Sequence, residues 1–252
     1  MTPLKLAPVA LALSLAAAIA SAQTDPASAP PAIDGGSIQA LKDMGVYLQT
    51  LDRFRVSTEL TGERVLADGQ KLQHMAYAVV DAERPDKLRA HMTSARSARE
   101  IIYNGQTATI SLPTQKYYST VEFSGPLATF IGKLEERYGV EIPLADLFTW
   151  GTPAAPIERI DSAMNAGQDY VDDELCDHYA FRQGRFDWQI WISAEGRPLP
   201  RKLVIINRAD EARPQSVSIL HWDLKPKFTR TTFDFKPPKG SQAVELHALD
   251  EK

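Results

Sequence analysis

The chain has 252 residues, 28 Lys and Arg against 32 Asp and Glu for a net charge of −4, and a single Cys. That acidic balance argues against a nucleic-acid partner, which needs a basic stripe, and one Cys rules out an internal disulfide. The length suits one sizeable core. Residues 1–22 read as a signal peptide: Lys5 carries the only early charge, an Ala- and Leu-rich run fills residues 6–20, and Ala20-Ser21-Ala22 forms a cleavage signal, with processing expected after Ala22. The run is shorter than the roughly 20 residues a membrane span needs. No Cys stands directly after the cleavage site, so the expected product is exported and soluble rather than lipid-anchored.

Residues 23–36, rich in Pro, Ala and Gly, read as a flexible linker. A single domain is expected over 37–245, with a tail at 246–252. It opens on an amphipathic helix, because Ile38, Leu41, Met44, Leu48 and Leu51 recur at helical spacing behind Asp34 or Ser37 as cap. Six short strands are predicted next, over 54–60, 71–81, 87–94, 100–103, 107–112 and 117–123. Asn104-Gly105 is the strongest turn signal among them. Tight turns leave no room for crossover helices, so the six form an antiparallel meander. Ser124-Gly125-Pro126 then predicts a helix start, and Leu127, Phe130, Ile131, Leu134 and Tyr138 make one apolar stripe ended by Gly139. A second short turn follows Pro143.

Residues 163–173 fit either a helix or a strand. Beyond them, further strands are expected at 178–183, 186–193, 202–207, 217–224 and 231–235. In the segment 176–208, Phe186, Trp188, Ile190 and Ile192 share one face of a strand, and Trp191 interrupts the polar face opposite. Either the sheet is covered on both sides there or one side borders an apolar cavity.

Few constellations could carry chemistry. Asp172, Asp173, Glu174, Asp177 and His178 form the densest group of possible ligands, but neighbours on a strand point to opposite faces, so a solvated acidic turn is favoured and no metal is expected. Cys176 and His178 share a face and are the one defensible thiolate pair, although a buried thiol is the ordinary state of such a Cys. G-x-S-x-G, H-E-x-x-H, paired C-x-x-C and P-loop motifs are lacking. No catalytic residue and no cofactor are expected.

The succession C-D-H-Y-A-F-R-Q at 176–183, D-W-Q-I-W-I at 187–192 and G-R-P-L-P-R-K-L-V-I-I at 196–206, continuing into F-D-F-K-P-P-K-G at 233–240, resembles the exported bacterial family known as domain of unknown function 2092. That family is similar to the LolA/LolB lipoprotein-localisation fold. The resemblance implies a mainly β (α+β) protein, an antiparallel half-open β-barrel with helices over its concave face, and a periplasmic location. It also implies a non-catalytic carrier of a hydrophobic ligand, either a lipid or a lipoprotein acyl group, in transient contact with envelope membranes. Candidate ligand-binding residues are Trp188, Ile190 and Trp222 on strands and Leu127, Phe130 and Ile131 on the helix, which would act as a movable lid. Two other readings compete with this one: an envelope-stress sensor or protein-interaction module, and a Cys/His enzyme.

Overall fold

The computed structural model describes residues 32–249. The expected signal peptide and most of the expected linker lie outside them. The chain enters through helix α1, Gly35–Gln49, whose N-terminus is capped by Asp34: its carboxylate accepts from Ser37 N at 2.8 Å and from the Ser37 hydroxyl. The opposite end is closed by Arg84, which donates to the carbonyls of Leu51 and Leu48.

Strands β1 (Arg53–Val65), β2 (Lys71–Glu83), β3 (Lys87–Thr93), β4 (Ala98–Tyr103), β5 (Thr107–Leu112) and β6 (Tyr117–Glu122) follow as the expected meander. Helix α2, Leu127–Tyr138, and the short α3, Asp146–Thr149, come next, then β7 (Ser162–Val171), β8 (Glu174–Gln183), β9 (Phe186–Ser193), β10 (Pro200–Asn207), β11 (Gln215–Asp223) and β12 (Gln242–Ala243).

Among the described residues all twelve strands lie in one sheet ordered β12-β6-β5-β4-β3-β2-β1-β11-β10-β9-β8-β7. Two antiparallel meanders are thus joined in the middle by β1 against β11, with Val56 opposite Trp222 and Thr58 opposite Leu220. The ends, β12 and β7, do not pair with each other, so the sheet is open, as the expected half-open barrel requires. Alternation sends Phe54, Val56, Val80, Leu88, Ile101, Tyr103, Phe181, Trp188, Ile190 and Leu220 to one face, where they form a single core with the stripes of all three helices.

Backbones touch where α1 crosses the loop after α3. A Cβ added to Gly45 would lie 2.5 Å from Gly151 N, which itself sits at φ +80°. Gln49 Nε2 donates to the Trp150 carbonyl beside that crossing.

Three expectations need correction or completion. Residues 231–235 are turns rather than a strand, tied by Thr232 N–H to the Thr229 carbonyl and by Asp234 N–H to that of Thr231. Residues 163–173 resolve as a strand and a turn: β7 pairs with β8, bulges between Asn165 and Gly167, and ends in a hairpin turn with Asp172 and Asp173 both at positive φ. Helix α2 does begin after Pro126, but without a side-chain cap; Leu127 N–H donates to the Pro85 carbonyl instead.

Candidate functional site

All six residues expected to bind ligand belong to the inner core, in three separate neighbourhoods. On α2, Leu127 and Phe130 are fully buried and Ile131 nearly so; the Phe130 ring stacks on Tyr103 with centres 4.1 Å apart and meets Phe123 edge-on at 5.2 Å. On β9, Trp188 stacks on Phe181 at 4.2 Å and approaches Trp150, with Ile190 further along the same face. On β11, half-buried Trp222 packs on Phe54 at 5.5 Å, and its indole N–H donates to the Pro200 carbonyl. Trp188 Nε1, also buried, has no acceptor among the described residues. The helix expected to be a lid is therefore seated, its stripe in apolar contact with the sheet.

Beside that helix the surface opens into a groove of about 1310 Å³. Val121, Phe123 and Tyr138 are half-buried in its floor above the buried Ala108, Phe130 and Leu134, the polar side chains of Gln106, Glu122, Lys133, Glu136 and Arg137 share the lining, and its far wall is the returning C-terminal segment at Ala248 and Leu249. The local sequence explains the shape. Gly125 at φ +137° lets the chain leave β6 and double back, held by Tyr103 Oη donating to the Gly125 carbonyl at 2.6 Å. Gly139, left-handed at φ +65°, ends α2 and turns the chain away. Leu249 N–H then donates to the Arg137 carbonyl, which fixes the C-terminal wall against the helix end. Of the six expected residues, Phe130 alone lines this groove. Trp222 lines a smaller depression of about 570 Å³ at the end of β9, β10 and β11.

Phe123 and Tyr138 were visible in the sequence as ends of a strand and of a stripe, but nothing in their spacing marked them as floor. Lys133 and Arg137, one helical turn apart and flanking the stripe, are the polar lip. Their placement could have been read from the i, i+4 interval.

The Cys176 and His178 pair does not assemble a nucleophile. Cys176 is fully buried and its Sγ sits 3.5 Å from the Glu174 carbonyl; burial, with the Glu174 carboxylate adding to it, pushes the thiol up to about 11. His178 instead bonds Gln189 through Nε2 and stacks on Trp191 at 4.0 Å. The acidic group is dispersed. Asp172 approaches His221, Glu174 pairs with Arg201 and accepts from Ser193, and Asp177 accepts from Gln168. No cluster of His, Cys, Asp and Glu among the described residues could hold a metal ion.

The described residues form an open, mostly β sheet with helices packed on one face and a groove of mixed polar and apolar lining beside one of them. The chain belongs to the family described as predicted periplasmic protein (DUF2092), whose model matches residues 37–247. No curated protein matches it by sequence. Similar solved structures include LprF from Mycobacterium bovis, at 14% identity and TM-score 0.47, covering 85% of this chain and 100% of that one. Lipoprotein LppX from Mycobacterium tuberculosis is 11% identical at TM-score 0.47, covering 77% and 98%. A LolA superfamily protein from Nitrosomonas europaea is 11% identical at TM-score 0.36, covering 79% and 97%.

Proposed function

We propose that the protein is a periplasmic, non-catalytic carrier of a hydrophobic ligand, and that an acyl chain is the part it holds. The observation that supports this best is the groove of about 1310 Å³ with its aromatic and aliphatic floor, above the roughly 300–1,000 Å³ usual for small-molecule pockets. Burying a sixteen-carbon chain is worth on the order of 12 kcal/mol before ordering costs, at about 0.8 kcal/mol per methylene. Such a site needs apolar walls and access, and no reacting group.

A longer chain would run on past Phe130 by displacing the α2 stripe, Leu127, Phe130 and Ile131, from the inner face. It would then reach toward Trp188, Ile190 and Trp222. Glycines in positive-φ conformations at both ends of α2, Gly125 and Gly139, favour movement of the helix as a unit.

The test is purification from a bacterial periplasm followed by native mass spectrometry and lipid extraction, with titration of the neutral probe N-phenyl-1-naphthylamine into delipidated protein. Co-purified lipid and saturable probe binding are expected. A protein that carries no lipid and binds no probe would sink the reading.

A further inference from the structure

Lys133 and Arg137 stand at the lip of the groove, and each lies over a ring of its floor. Lys133 Nζ is 5.9 Å from the centre of the Phe123 ring, and Arg137 Cζ is 5.3 Å from that of Tyr138. Arg53, Arg55, Lys71, Lys87 and Arg89 on the sheet each reach a carboxylate oxygen. Neither Lys133 nor Arg137 makes an ion pair among the described residues. Glu122 and Glu136 also line the groove and oppose an anionic head, while the two cations rest on rings of the floor.

A chain lying on the half-buried Val121, Phe123 and Tyr138 would have Lys133 and Arg137 within reach of its head. Cationic groups already resting on aromatic faces surrender less freedom on meeting an oxyanion than freely moving ones. The guanidinium of Arg137 further offers a planar fork that matches a carboxylate. Taking the carrier reading as its base, we infer that the groove selects acyl chains ended by a carboxylate, with Lys133 and Arg137 as the specificity-determining residues.

The experiment compares oleate with oleyl alcohol, which has the same chain and a neutral head, as competitors for N-phenyl-1-naphthylamine on the delipidated protein at low and high salt. Oleate is expected to bind about tenfold more tightly at low salt, the combined effect of two exposed charge pairs, and the gap should narrow as salt screens them. The double variant Lys133→Gln/Arg137→Gln should bring the two ligands to equal affinity, whereas Glu122→Gln/Glu136→Gln should widen the gap. Circular dichroism melts accompany each variant, and if one fails to fold the salt titration of the unaltered protein decides, a salt-independent preference overturning the inference. Equal binding of oleate and oleyl alcohol, or a preference that survives the double variant, overturns this inference and leaves the carrier reading standing. Failure of both ligands and of the probe to bind overturns the carrier reading and this inference with it.

Discussion

On the outer face of the sheet, Trp191 lies in a cross-strand row between His178 on β8 and Lys202 on β10. The imidazole stacks against it and Lys202 Nζ sits 4.4 Å from a ring centre of the indole. A tryptophan can therefore break a polar strand face without a helix to cover it, because two neighbouring side chains supply the cover. Trp191 itself forms, with Cys176, Val171 and Val204, a small second cluster separate from the main core. The thiol belongs to that packing. Cys176 should resist alkylation by iodoacetamide in the native protein at neutral pH and react once denaturant is added; rapid native labelling would show that the cluster opens and would restore the thiol as a candidate nucleophile.

Among the elements, α1 and α2 make opposite demands on their glycines. Gly45→Ala would thrust a methyl group into the Gly151 backbone and should destabilise by about 1–3 kcal/mol, even though alanine is the better helix former. Gly132→Ala, in α2 with nothing within 4 Å of the new Cβ, should stabilise by up to about 1 kcal/mol. Denaturant melts of the two variants measure both, and similar shifts for the pair would mean that the α1 crossing is looser than described. Phe130→Glu would place a carboxylate between Tyr103 and Phe123, at a cost of several kcal/mol out of a typical total of about 5–15. Its melting temperature should fall sharply, and an unchanged one would mean that α2 is seated only loosely.

The meander, the α2 stripe and the triple β8-β9-β10 were legible because each is local: the period of two or 3.6 and the turn residues lie within the element itself. The strand character of β7 was not, since it is an edge strand whose Met164 and Tyr170 are exposed and whose bulge breaks the alternation. Nor was the groove, whose floor unites Val121 and Phe123 with Tyr138 and whose wall comes from Leu249; no period links residues brought together by a chain reversal.

For the molecule as a whole, the C-terminal segment completes the structure. β12 pairs in parallel with β6, Val244 N–H donates to the Tyr118 carbonyl, the Ser119 hydroxyl donates to Val244 O, and Leu246 packs on the core. Deleting residues 241–252 should lower the melting temperature and expose the β6 edge. Light scattering should then show concentration-dependent association, the usual fate of an uncovered strand edge. A truncated protein that stays monomeric and equally stable would show the segment to be dispensable.

The junction of β1 with β11 sets a schedule for folding. Arg55 lies opposite Asp223, two-thirds of the chain away, whereas most other strand pairs close over short turns. Bringing such distant ends together costs about 2–3 kcal/mol more loop entropy than closing a ten-residue hairpin. Each meander can begin to form alone, but the middle of the sheet waits for β11, and contacts of such long range make folding slow. A chain whose central strands pair only after nearly all of it is present stays short of its native state for longer, and a polypeptide short of its native state is the form that a narrow translocation pore can pass.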